Sequence, residues 1–299
     1  MNIRSQVAAS IAALFAILCV AEVLVAQGVL LPSFSELERT EARTAMRRIE
    51  YGVGLTLDQL SVSAADWGNW SDTYRFAQDH DRAFIDENMT PIGLKQLNID
   101  VLIVMDGAGR FLTARAIDLK SGGPLPLDLA AEAVLPASFP WHDNLRNGHP
   151  AQGFLRTNAG ILMAAAAPVL DGFGHGPARG MVILGRLLSP AEIRRIGSQA
   201  QANLSFRQSQ SVPAGREIVT TPDTLQVFHS FQDLYGHPAF TLEVQVPREI
   251  TRRGASAVRY ASFYLMAAAV IVLVLLVIML NLTVLNPLAR ITRHAVAIG

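Results

Sequence analysis

The sequence predicts an α/β fold, a mostly antiparallel sheet domain with a long N-terminal stalk helix, flanked by two transmembrane helices. Three observations predict it. Two long apolar runs stand near the ends of the chain, and the segment between them changes its hydrophobic period from near 3.6 to near 2. Only 17% of the 299 residues are charged, below the roughly 25% of ordinary soluble domains. The two runs account for that deficit.

The first run, Val7 to Leu31, reads VAASIAALFAILCVAEVLVAQGVLL and is interrupted only by Glu22 and Gln27. About 25 helical residues span roughly 37 Å, enough to cross a hydrocarbon core of ~30 Å. The run is longer than the ~7–15 residues of a signal-peptide core, and no A-x-A site follows it, so an uncleaved anchor is expected. An acid near mid-membrane costs roughly 2.5–3.5 kcal/mol on insertion scales. Glu22 therefore reads as a protonated acid turned toward a partner helix, with signal transmission as the alternative. The second run, Ala261 to Leu285, carries no charge. Arg4 precedes the first run, and Arg290 and Arg293 follow the second. By the positive-inside rule residues 1–6 and 286–299 are cytoplasmic and 32–260 lie outside.

The outer segment holds 24 of the 25 acids and 22 of the 25 Lys and Arg residues, a net charge near −2. That balance gives no sign of nucleic-acid binding. Cys19, the only cysteine, sits in the first apolar run. The outer domain thus has no disulfide, and its stability must come from an apolar core; about 229 residues suffice to bury one.

The elements follow in order. A stalk helix is expected over 34–79, with Leu37, Ala42, Ala45, Met46, Ile49, Val53, Leu57 and Leu60 near helical spacing. Pro32 suggests a kink or restart, with Ser33 or Ser35 as a cap. IDVLIVMD and GRFLTARAI read as strands joined by a DGAG hairpin. PLDLAAEAVL reads as a helix, followed by a loop-rich stretch. FLRT, ILMAAAAPVL and MVILGRLL read as further strands, the last two separated by DGFGHGPARG. Ser189-Pro190 opens a short helix in cap-then-proline order. LQVFHSF and FTLEVQV read as strands, and a helix from Pro247 runs into the second apolar segment. Helices at both membrane ends of an antiparallel α/β body fit a PAS-like or Cache-like sensor.

Readable catalytic or metal chemistry is missing. DGFGHGPARG lacks the Lys-Ser/Thr of a phosphate loop and joins two strands, so it reads as a hairpin loop. Asp79, His80 and Asp81 are adjacent, so their side chains diverge, and the remaining histidines are scattered. There is no G-x-S-x-G. The expectation is a non-enzymatic chain with no cofactor and no metal.

The most distinctive stretch is AADWGNWSDTYRFAQDH, from Ala64 to His80. In an unbroken helix Trp67, Trp70 and Tyr74 share one face at i, i+3 and i+7, with Asp72 well away from it. Such rings bury large apolar areas and leave a polar tip in need of a partner. Asp66, Trp67, Trp70, Asp72 and Tyr74 are therefore candidates either for a clamp of stalk onto sheet or for direct ligand contact.

DWGNWSDTYRF followed by FIDENMTPIGLKQLNIDVLIVMDGAGRFL resembles the CHASE-four class of extracellular sensory domains. AAAAPVLDGFGHGPARGMVILGRLLSPAEI and DLYGHPAFTLEVQVPREITRRG extend the likeness over about 36–254. The resemblance implies a bacterial or archaeal receptor, here multi-pass in a bacterial inner (cell) membrane with a periplasmic or extracellular sensor domain. It implies an external small molecule or a periplasmic protein as partner, besides the lipid bilayer, and a homodimer. After Pro287, Leu288, Ile291, Ala295 and Ile298 recur at spacings of 3, 4 and 3, a heptad seam similar to the first helix of a HAMP linker. These five residues are the expected signal-transmission positions, and the chain is read as stopping partway through the linker. The implied output is a cyclic di-GMP cyclase or phosphodiesterase, or a histidine kinase, in the full-length parent. A membrane-anchored docking protein without signalling output is the alternative.

Overall fold

The computed structural model describes residues 3–128, 134, 139–141, 143, 147–208 and 217–285. Most of the helix expected over 126–135, and all five transmission positions, Pro287, Leu288, Ile291, Ala295 and Ile298, lie outside the described residues. The chain forms two compact units, Ala42–Val246 and the combination of Met1–Glu41 with Pro247–Gly299.

The second of these units holds the membrane segments. Helix α1 covers Ile3–Val25, a π-helical turn covers Ala26–Leu30, and helix α2 starts at Leu31 and runs to Gly68. The kink or restart expected at Pro32 is replaced by this turn. The Leu31 amide bonds back to the carbonyl of Ala26, one residue farther than in an α-helix. Ser33 caps nothing; its hydroxyl donates to the Leu30 carbonyl at 2.7 Å. Near the other end, the last helix, Glu249–Leu280, continues into a second π-turn, Asn281–Leu285. Both long helices contain stretches apolar enough to cross a membrane, and their large apolar side chains, such as Ile17, Leu24, Phe263 and Leu275, point outward. Outward apolar faces on such helices suit a hydrocarbon solvent. Glu22 lies in a groove with Ala257, Ala261 and Ser262, and its Oε1 is out of contact with solvent and has no hydrogen-bond partner.

The unit Ala42–Val246 is built on the rest of α2. Ala42, Ala45, Met46, Ile49, Val53, Leu57 and Leu60 form a buried stripe, as the spacing predicts, and Ala64 extends it, whereas Leu37 is exposed. The stalk helix expected to reach residue 79 ends at Gly68, and α3 restarts at Ser71–Asp79. Two short helices follow, each started by a side-chain cap. Asp81 accepts from the Ala83 amide before α4 (Arg82–Asn88), and Thr90 accepts from Gly93 before α5 (Pro91–Gln96).

The strands divide between two antiparallel sheets. The first has the order β2-β1-β5-β4-β3, from β1 (Val101–Asp106), β2 (Phe111–Ala116), β3 (Ala151–Thr157), β4 (Gly160–Pro168) and β5 (Gly180–Leu187). Ile103 on β1 pairs with Ile183 on β5, which in turn pairs with Ala166 on β4. The sheet is covered on both faces. Leu102, Val104, Met163, Val182 and Leu184 join the core under α2, while Ile103, Met105, Leu162 and Ile183 join Phe139 and Trp141 on the other side. The β1–β2 turn is the expected hairpin, with Asp106 accepting from the Ala108 and Arg110 amides at 2.9 Å each.

Helix α6 (Pro190–Gln199) starts with Ser189 as cap and Pro190 at its first position. It leads to the second sheet, order β6-β9-β8-β7, from β6 (Asn203–Gln208), β7 (Ile218–Thr220), β8 (Thr224–Gln232) and β9 (Pro238–Pro247). The Arg156 guanidinium donates to the Pro238 carbonyl at 2.7 Å and the Leu234 amide to the Phe154 carbonyl at 2.9 Å, stitching the sheets together. The helix that closes the chain, Glu249–Leu280, is called α7 below.

Candidate functional site

The helix break at 69–70 places the aromatic motif. Gly68 makes it possible: a Cβ there would lie 2.3 Å from the Pro168 carbonyl oxygen at the end of β4. That approach lets the Leu170 amide donate to the Gly68 carbonyl at 2.9 Å. The chain then turns through an extended Trp70 before α3 begins. Trp67, Trp70 and Tyr74 therefore do not share a continuous helical face.

Trp67 and Trp70 still meet, edge to face, with ring centroids 5.7 Å apart. Phe84 of α4 completes the cluster at 6.5 Å from Trp67 and 6.0 Å from Trp70, and Phe76 stacks on Phe84 at 4.7 Å. Rings at these separations leave no room for a guest between them and pack as a core does. Trp67 is half-buried against the main core, whereas Trp70 is 38% exposed. Tyr74 points elsewhere: its hydroxyl accepts from Arg179 Nε at 3.2 Å, and the Arg179 guanidinium lies 5.8 Å from its ring centre. Asp66 is exposed, and Asp72 pairs with Arg75 at 3.3 Å on the rim of a small cavity shared with Asp79, Asp81 and Glu87. Of the five motif residues, only the tryptophans come together.

The structure adds partners that the sequence reading passed over. Phe76 and Phe84 complete the ring cluster. The glycine-rich loop between β4 and β5 docks on the helix break, where a Cβ on Gly172 would sit 2.3 Å from Ser71 Oγ. Asp171 accepts from the Phe173 and His175 amides at 3.0 and 2.7 Å, and this turn presents Phe173 with 85% of its surface exposed. The hint in the sequence was the loop's run of glycines, legible as a hairpin but silent about its docking partner. Thr73, in the first turn of α3, is fully buried, and its hydroxyl has no partner.

A second set of polar groups is buried between α2, α6 and the first sheet. Asp100 accepts from the Leu187 amide at 2.8 Å and is 5% exposed; burial pushes its carboxyl up to about 6, against the pull of the Leu187 and Leu119 amides and of Arg186. Arg186 donates to the Asn98 carbonyl at 2.6 Å and lies 3.7 Å from Glu192. Burial lowers the guanidinium from its ordinary range, while Glu192 supports its charge. Arg195 pairs with Glu192 and donates to the Thr56 hydroxyl of α2 at 3.4 Å. His229 Nδ1 on β8 lies 2.7 Å from Glu50 Oε1 on α2, a further polar tie between that helix and the second sheet. Among the described residues no group of three or more His, Cys, Asp or Glu is placed to hold a metal.

In the unit of the membrane segments, Glu38 is 1% exposed. It accepts from the Thr251 amide at 2.8 Å, the Thr251 hydroxyl at 2.6 Å and Arg248 Nε at 3.4 Å. Burial works to raise this carboxyl, but the Thr251 and Arg248 donors outweigh it and hold it below the usual carboxylate range.

The CHASE4 domain model matches residues 54–207, an interval that contains the aromatic motif, the first sheet and the buried polar set. The methanogenesis regulatory histidine kinase FilI of Methanothrix harundinacea (strain 6Ac) is 30% identical over 258 residues, covering 81% of this chain. The chain spans 28% of the length of that relative. Among solved structures, a domain of a Vibrio parahaemolyticus protein assigned to the sensory box/GGDEF family aligns with 10% identity and a TM-score of 0.48, covering 73% of this chain and 99% of that one. The periplasmic domain of Vibrio cholerae LuxQ aligns with 8% identity and a TM-score of 0.42, covering 70% and 99%. The two membrane-spanning helices flank the matched domain, which makes the protein multi-pass in the cytoplasmic membrane with its sensor domain outside. The chain belongs to the CHASE4 family of extracellular sensory domains.

Proposed function

We propose that this chain is the sensing and membrane-crossing part of a receptor that detects an external cue and passes it to a cytoplasmic output through a HAMP-like linker at 286–299. Pro287, Leu288, Ile291, Ala295 and Ile298 are the linker positions that carry the signal inward. A histidine kinase is the favoured output, because the curated relative is named as one; a cyclic di-GMP cyclase or phosphodiesterase is the other class considered. One observation carries the reading. Helix α2 begins where the first membrane segment's π-turn ends and finishes at Gly68, where Trp67, Trp70 and the β4–β5 loop grip it. A change in the sheet domain thus acts on a helix covalently continuous with a membrane span. A ligand drives that change only through its differential affinity for two arrangements. Reversing a 1:99 population ratio takes about 5.5 kcal/mol.

The receptor works as a homodimer in this reading. Tyr51, Leu55 and Val62 lie 4 and 7 residues apart on one face of α2 and are 73%, 44% and 62% exposed. That face suits a second copy of the same helix.

The test is a thermal-shift screen of the full chain in lipid nanodiscs against amino acids, organic acids and amines. A saturable stabilisation by one chemical class supports a small-molecule receptor. A second reading, a docking protein, is favoured by Phe173, which projects from a hydrogen-bonded turn packed against the Trp70 segment. Capture of a periplasmic protein, lost in Phe173→Ala, with no small-molecule response would favour docking.

A further inference from the structure

Helix α7 starts without a cap of its own. Arg248 occupies the cap position, and a guanidinium has no hydrogen-bond acceptor to offer the free amides of the first turn. The acceptor comes instead from another helix. Glu38 of α2 takes both the amide and the hydroxyl of Thr251, with Arg248 on the same carboxylate. One turn farther along α7, Gly254 is buried against Phe34 of α2. A Cβ on that glycine would lie 2.5–2.8 Å from three ring carbons. Charged hydrogen bonds and a close ring contact therefore fix the same two helices one turn apart.

We propose that Glu38 is a coupling residue: it clasps the start of the outgoing helix α7 to the incoming helix α2, so that the two move as a pair. Axial sliding of one past the other, by even 1–2 Å, pulls the Thr251 amide, fixed to the α7 backbone, out of bonding distance of Glu38 and must open the clasp. Joint tilting or rotation keeps it closed. The clasp thus selects which movements of the outer domain reach the second membrane span. Its signalling meaning rests on the receptor reading above; its existence does not.

The Thr251 amide gives a direct readout. An amide in the first turn of a helix has no intrahelical partner, so its protection from hydrogen exchange reports on Glu38. In the full chain in nanodiscs, Glu38→Ala should speed exchange at Thr251 by about 10- to 100-fold, with exchange in β1 and β5 unchanged. Spin labels placed by Leu37→Cys and Arg252→Cys in a Cys19→Ser background should show a broadened interhelix distance. Unchanged exchange at Thr251 together with an unchanged distance distribution would overturn the proposal. Should Glu38→Ala lose protection throughout the chain, Thr251→Val and Glu38→Gln decide. Each removes or weakens part of the clasp, and an unaltered distance distribution in both overturns the proposal. No ligand or output module enters these measurements, so a failure of the receptor reading leaves their result intact.

Discussion

Asp100→Asn should change how the stability of the sensor body depends on pH. Asp100 is raised from 3.8 to about 6 in the folded chain, a difference of roughly 2 units, or about 3 kcal/mol at 1.36 kcal/mol per unit. A raised acid binds its proton more tightly when folded, so between about pH 4 and 6 the native state carries more protons than the unfolded one. Stability from this group is present at acid pH and is lost as pH rises through that window, the opposite of the usual paired carboxylate. Glu38, Asp106 and Asp118 are lowered and work in the other direction, but they are common to both proteins and cancel in the comparison. The substituted asparagine keeps an acceptor for the Leu187 amide. The measurement is denaturant unfolding of the full chain in nanodiscs from pH 4 to 8, followed by tryptophan fluorescence. The stability difference between wild type and Asp100→Asn should move by about 3 kcal/mol across the window, in favour of wild type on the acid side. A pH-independent difference, or one of opposite sign, would refute the assignment of that carboxyl to a desolvated site.

Three other outcomes follow from the same geometry. Trp67→Ala removes a ring packed on Trp70, Phe84 and the core and should cost about 3–5 kcal/mol in the same unfolding assay; Trp70→Ala, at a more exposed ring, should cost visibly less. Gly68→Ala drives a methyl group into the Pro168 carbonyl, so the helix end and the β4–β5 loop should separate, seen as faster exchange of the Leu170 amide. Ile291→Glu in a full-length receptor should abolish output while leaving ligand affinity unchanged; intact output would remove the linker reading.

Periodicity carried most of the architecture. The stripe from Ala42 to Leu60, the β1–β2 hairpin and the Ser189-Pro190 helix start are all local patterns, set by residues within a few positions of one another. What escaped was set by distant neighbours. The stalk ends at Gly68 because the Pro168 carbonyl arrives there, from a strand far along the chain. Tyr74 leaves the tryptophans because Arg179 offers it a donor. Helices α4 and α5 had signals in Asp81 and Thr90-Pro91, but their length left too few turns for a period to show. Trp67 and Trp70 were legible as a pair; Phe76 and Phe84 were not, since no spacing rule links them to rings on another helix.

The π-turn at Ala26–Leu30 sets how the side chains of the first membrane segment are phased against those at the start of α2. A π-turn takes up one residue more than an α-turn, and one residue is worth about 100° around the axis. Across Ala26–Leu30 the sequence positions that share one side of the helix are therefore five residues apart rather than four. Deleting one residue from Ala26–Leu30 would restore the α ladder and leave the flanking segments close to their present phase, whereas inserting one residue in the regular helix beside it would rotate one segment by about 100° against the other. A deletion inside this turn and an insertion just outside it thus separate a change of helix length from a change of helix rotation, without altering any side chain that packs in the outer domain.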